Sequence, residues 1–161
     1  MTAAPVQGRR ASHTAGATPP SCSTGPQDTR LHQITRVLQS ATAAENTATG
    51  AALREAFRTT RYLLGGARAI GFTVPELSAL LGVSSGALRA RSDQDGSIPT
   101  TTFIALAGIA VTAIEMWQHA GTLGTPSLDE SGRESYPASA LLRALLTMPP
   151  TEGRNSISVA S

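Results

Sequence analysis

Lysine is absent from this chain of 161 residues, and all thirteen basic residues are arginine. With so much alanine beside them, this reflects a GC-rich coding sequence more than a mechanism. Cysteine is nearly absent too. Cys22 stands alone, which excludes an internal disulfide and any multi-cysteine zinc site and fits a reducing cytoplasm. No run of eighteen apolar residues occurs, so no membrane-spanning helix is expected. Arg9 and Arg10 have no apolar segment behind them, so the N-terminus does not read as a secretory signal, and the expected location is the cytoplasm. His13, His32 and His119 have no partner at ligand spacing, and no metal is expected. There is no phosphate loop, no Ser/His/Asp order and no carboxylate pair in an apolar setting. The chain therefore does not read as an enzyme, and neither a cofactor nor a small-molecule effector is evident.

Charge is informative by its placement. The formal net charge of +2 is too small to argue for nucleic acid by itself. Residues 50–92, however, hold six arginines against Glu55 and Glu76, a net +4, whereas residues 93–152 hold Arg133 and Arg143 against seven acids, a net −5. The middle is basic and the C-terminal part acidic.

The organising stretch is Phe72 to Arg91, which reads as two short helices joined by a tight turn. Thr73 can N-cap the first, with Glu76 completing a capping box and Phe72 and Leu77 forming a hydrophobic staple. Pro75 falls in the first turn, where its missing N–H costs nothing. Leu77, Leu80 and Leu81 make an apolar stripe, and Gly82 supplies the left-handed residue that ends the helix. Ser84 can cap the second helix, with Val83 and Leu88 as its staple. Such a pair cannot bury itself and needs neighbours.

Those neighbours are legible on both sides. Residues 1–27 are rich in Ala, Ser, Thr, Gly and Pro with no acid before Asp28, and read as a disordered tail. From Asp28 to Thr47, Leu31, Ile34, Val37, Leu38 and Ala41 recur at helical spacing. After a break at 46–50, a second helix is expected over Ala51–Ala69, with Leu53, Phe57 and Leu64 inward. Gly65-Gly66 is expected to end or kink it, since each glycine costs roughly 1 kcal/mol against alanine in a helix. Arg54, Arg58, Arg61 and Arg68 line one stripe of it, either a solvated face or a row of phosphate contacts. Asp93 to Pro99 reads as a turn.

The pattern then repeats. Shifted by 26, Leu77 falls on Phe103, Leu80 on Leu106, Gly82 on Gly108, Val83 on Ile109 and Leu88 on Ile114. A small hairpin turning near Ser131-Gly132 is expected over 127–136, and a closing helix from Pro137 to Met148 with Leu141, Leu142, Leu145 and Leu146 apolar. Pro149-Pro150 stops it, and residues 149–161 read as a flexible tail.

Two resemblances follow. Residues 72–91, with their Glu-Leu-x-x-x-Leu-Gly-Val-Ser core, resemble the helix-turn-helix of bacterial regulators. Residues 103–146 resemble a MerR-type or excisionase-like winged helix: a helix pair, then Gly121-Thr-Leu, a Gly132-Arg133 turn, Tyr136 and a helix. The long dimerisation helix and the C-terminal effector domain of MerR proteins are not seen in the sequence.

The expected fold is thus mainly all-α. A helical pair (28–70) precedes a first helix-turn-helix (71–99) and a second, winged one (100–148). The expected function is sequence-specific DNA binding, as in a bacterial transcriptional regulator, with double-stranded DNA as partner and a homodimer left open. In such motifs the second helix presents its N-terminal residues to base edges. The first unit offers Ser84, Ser85 and Gly86, small enough for close approach, with Arg89, able to bind guanine bidentately, and Arg91. Arg54, Arg58 and Arg61 are the candidate phosphate contacts, and Arg133 the candidate wing contact. The second unit offers Ala110, Val111, Thr112, Glu115 and Met116, a poor set against a polyanion, with Trp117 as a core residue where the first has Arg91. Two alternatives stay open: a protein-interaction adaptor that keeps the shape without the DNA chemistry, and an excisionase or phage-packaging DNA-binding subunit.

Overall fold

The computed structural model describes residues 26–148. Of the expected tails at 1–27 and 149–161, residues 1–25 and 149–161, with Cys22 and His13, lie outside the described residues. Among those described, seven helices accompany one three-stranded antiparallel sheet. None of the helices is long and apolar enough to cross a membrane.

Helix α1 (Pro26–Thr47) is the hub. Its stripe of Ile34, Val37, Leu38 and Ala41 is almost fully buried, and α2, α3, α5 and α7 all pack against it. Each fully buried aliphatic side chain is worth about 1.5–3 kcal/mol against exposure, so one stripe facing four helices ties the two halves of the sequence together. α1 begins at Pro26, two residues ahead of the expected tail boundary.

Helix α2 (Gly50–Ala69) departs from expectation twice. It runs unbroken through Gly65-Gly66, because both glycines lie where other backbone presses in. A Cβ at Gly65 would lie 1.9 Å from the Gln94 carbonyl oxygen, and one at Gly66 would lie 2.7 Å from the Ser139 nitrogen. The close approach outweighs the helix-propensity cost. The inward face is also set further along than expected. Thr59, Thr60, Leu63, Leu64 and Ala67 are buried, while Leu53 and Phe57 remain 40% and 44% exposed. The first half of α2 extends past the core.

Two helix pairs of the same construction follow. α3 (Val74–Leu81) and α4 (Ser85–Arg91) turn at Gly82, and α5 (Thr100–Ala107) and α6 (Val111–His119) turn at Gly108. The helix starts are 26 apart in both members, and the glycines adopt φ +65° and +64°, the left-handed region that terminates a helix without a Cβ penalty. The Thr73–Glu76 capping box forms: the Thr73 hydroxyl accepts from the Glu76 amide at 3.3 Å, and the Glu76 carboxylate accepts from the Thr73 amide at 2.7 Å. That amide holds the Glu76 carboxyl below its ordinary range. The Ser84 hydroxyl caps α4 through the Ala87 amide. Ala110 supplies no such cap to α6. Of the second staple, Leu88 is buried while Val83 is 37% exposed.

The stretch 93–99 is only partly a turn, since Ser97–Pro99 is strand β1. It pairs antiparallel with β3 (Glu134–Pro137), which also pairs with β2 (Ser127–Leu128), in the order β1-β3-β2. Ile98 and Tyr136, opposite each other in this register, both point into the core, a partnership between segments too far apart for local pattern to signal. Gly96, just before β1, lies flat against the Tyr62 ring, where a Cβ would come within 2.4 Å of ring carbons. Pro137 ends β3 and leads into α7 (Ala138–Thr147). A proline cannot cap through its side chain, and the Asp95 carboxylate takes over from the loop before β1, accepting from the Ser139 amide at 2.9 Å and from its hydroxyl. Leu141, Leu142 and Leu145 of α7 are buried, as the spacing predicts.

Candidate nucleic-acid interface

Helix α4 is anchored on one side and bare on the other. Leu88 is buried beneath it, whereas Ser84, Ser85, Gly86, Ala87, Arg89 and Ala90 are exposed. The Ser84 hydroxyl is spent on the cap. That leaves a smooth surface of small side chains with one long cation, Arg89, which has no partner among the described residues. Nothing lies within 4 Å of where a Gly86 Cβ would be.

Arg91 faces the other way. Its Nη2 lies 2.6 Å from the Glu45 carboxylate of α1, and its guanidinium stacks 4.5 Å above the Phe57 ring of α2. Only 29% of the Arg91 side chain and 15% of Glu45's is exposed, so this is a structural clamp between α4 and the α1–α2 pair. Arg91 Nε is buried without a hydrogen-bond partner.

The arginine stripe of α2 divides in the same way. Arg61 grips Asp93 through Nε and Nη2, at 2.8–3.1 Å, and this pairing holds the Asp93 carboxyl below its ordinary range. Arg68 donates to the carbonyl and hydroxyl of Ser92. Both residues tether the exit of α4 to α2, a use that sequence spacing along α2 alone could not signal. Arg58 has a loose 3.5 Å contact with Glu55, and 61% of its side chain is exposed. Arg54 is exposed with no partner among the described residues. The stripe therefore presents two outward cations, beside the Phe57 on which Arg91 rests.

The hairpin closes on itself. Asp129 accepts from the Ser131 amide and hydroxyl, the Arg133 amide and the Arg133 guanidinium, all at 2.7–2.9 Å. These bonds, led by the Ser131 hydroxyl, pull the Asp129 carboxyl down to about 2. Gly132 at φ +78° completes the turn. Arg133 is thus neutralised by a carboxylate four residues away, and Glu130 and Glu134 beside it are exposed.

The outer face of α6 carries Val111, Thr112, Glu115, Met116 and His119. Its inner face is Ala113, Ile114 and Trp117, and Trp117 is buried as expected, at 5% exposure. Gln118 ties α6 to the sheet by donating to Tyr136 Oη and to the Glu134 carboxylate, both at 3.0 Å. Among the described residues no three metal-ligating side chains converge. Set beside family models, curated proteins and solved structures, the chain matches none of them.

Proposed function

We propose that the chain is a sequence-specific DNA-binding protein, a transcriptional regulator of the cytoplasm rather than an enzyme, in which α3–α4 is a helix-turn-helix and α4 is the reading helix. On this reading α5–α6 with the β2–β3 hairpin is a second, winged unit of the MerR or excisionase kind. It serves as scaffold and does not enter a groove. The observation that carries the proposal is Arg89, an exposed and unpartnered cation on a helix whose solvent face is otherwise Ser85, Gly86, Ala87 and Ala90. Small residues let a helix backbone come close to base edges, and an arginine among them can take guanine O6 and N7 together. Arg54 and Arg58 supply phosphate contacts. Arg61 and Arg91 are spent internally and play no direct part.

Selection of bound sequences from a random DNA pool by the purified protein tests this. A recovered motif with an invariant G·C pair that Arg89→Ala relaxes is the expected result. Recovery of no motif at low salt would overturn it. The acidic outer surface of the second unit, with Glu115, Glu130 and Glu134 exposed, favours one alternative, a protein-interaction adaptor, which that negative result would install in its place.

A further inference from the structure

We infer that the groove between α2 and the β2–β3 hairpin binds a small neutral polyhydroxy compound, with the chemistry of a mono- or disaccharide. The inference is independent of the DNA reading. The groove is open along one side and has a volume of about 670 Å³, within the range of roughly 300–1,000 Å³ usual for small-molecule sites.

Its construction follows from two periodicities. Glu55, Arg58, Thr59 and Tyr62 lie at helical spacing on one face of α2 and form a wall. Ser97, Pro99 and Ser135 lie on the sheet face opposite to Ile98 and Tyr136 and form the floor. The Asp129–Arg133 turn is the second wall. Helix, sheet and a turn closed by its own carboxylate are already in place, so a ligand need not order them.

The lining offers hydroxyls in excess. Thr59, Tyr62, Ser97 and Ser135 all border the groove, and none of their hydroxyls bonds to another described residue. Thr59 and Ser135 are the telling pair. They are only 5% and 4% exposed, but neither hydroxyl oxygen is sealed off without a partner, so each stays open to the groove. Water serves them in the empty groove, and the hydroxyls of a ligand can take its place.

The charges select against an ion. Arg58 has Glu55 at 3.5 Å and Arg133 has Asp129 at 2.7 Å, leaving Glu130 as the lining charge without a partner among the described residues. An anionic ligand would meet a lining of net −1, Arg58 and Arg133 against Glu55, Asp129 and Glu130. A neutral polyol breaks neither pair, and its hydroxyls can donate to carboxylates while accepting from the serine, threonine and tyrosine hydroxyls.

The test is an amide NMR titration of the full chain, without DNA, using glucose and trehalose as probes into the tens of millimolar, with glucose 6-phosphate as the charged comparison. Saturable shifts at Ser97, Ser135 and Gly132 are expected for at least one neutral probe. Affinity should fall about tenfold in Ser135→Ala and in Thr59→Val, the loss of one hydrogen bond each. Absence of any saturable shift would mean that the groove holds water only and would overturn the inference. So would tighter binding of glucose 6-phosphate than of glucose, or unchanged affinity in both variants. The wild-type titration decides alone if a variant fails to fold.

Discussion

The two helix pairs share a backbone and little else. Both turn at a left-handed glycine, and both begin 26 residues apart. The difference lies in what each does with its second helix. At the position where α6 buries Trp117, α4 has Arg91, which reaches back to Glu45 and Phe57. An ion pair and a cation–π contact there do the anchoring that an indole does in the other pair. Outside, α4 shows small residues and Arg89, whereas α6 shows Val111, Glu115 and Met116. Repetition of a frame says nothing about a shared task, because the frame is fixed by buried positions and the task by exposed ones.

The largest expected effect tests the anchors. Trp117→Ala should cost about 3–5 kcal/mol of stability, the usual range for truncating a buried tryptophan. Arg91→Ala should cost less, about 1–3 kcal/mol, because it leaves the mostly buried Glu45 carboxylate without its partner. Chemical denaturation of the two variants measures both. An Arg91→Ala protein as stable as wild type would break the equivalence and return Arg91 to the surface set.

The next effect tests the faces. Arg89→Ala should remove about 1–3 kcal/mol of discrimination at one base position and leave the fold intact. Glu115→Ala should leave affinity unchanged. Binding titrations on one selected site at fixed salt separate them. Tighter binding by Glu115→Ala would place α6 against the polyanion, since a repulsive charge has been removed.

How much of this was legible in the sequence depends on how far each signal has to reach. The capping box, Gly82, the repeated frame, the stripe of α1 and the hairpin turn are written within a few residues of where they act, and the structure agrees with each. The continuity of α2 through Gly65-Gly66 was illegible, because the reason for both glycines is backbone some thirty and seventy residues downstream, at Gln94 and Ser139. Strand β1 was hidden for the same reason, since its partner is β3. The arginines are legible as a stripe but not in their uses: spacing places Arg54, Arg58, Arg61 and Arg68 on one face, and only tertiary structure shows that Asp93 and Ser92 claim two of them. The hydroxyls of the groove carry no signal in the sequence, being those of serines, one threonine and one tyrosine, and Arg58 and Arg133 beside them point to phosphate and not to a groove.

That division of the stripe makes a smaller prediction. Changing Arg54 and Arg58 together to Ala should flatten the slope of log affinity against log salt by about 2, one counterion released per lost phosphate contact. Arg61→Ala should leave the slope alone and lower stability instead, since its partner is Asp93. A slope that moves with Arg61 and not with the other two would reverse the assignment.

The smallest effect concerns the hairpin. Asp129 is held at about 2 against an ordinary 3.8, so its folded value is depressed. The support it gives the turn is therefore complete above about pH 4 and is lost as pH falls through about 2. The Ser131 and Arg133 amides should report this in an acid NMR titration, with a midpoint near 2 and no change between pH 5 and 8. A midpoint at the ordinary value would mean that the turn is open and Arg133 free. The same contact bears on the proposed DNA binding. While Asp129 holds its guanidinium, Arg133 cannot serve a phosphate without giving up a charge-assisted bond of 2.7 Å. Arg133→Ala should leave affinity for the selected site unchanged. Loss of binding in that variant, with none in Arg89→Ala, would make the winged unit the reader and α4 the scaffold.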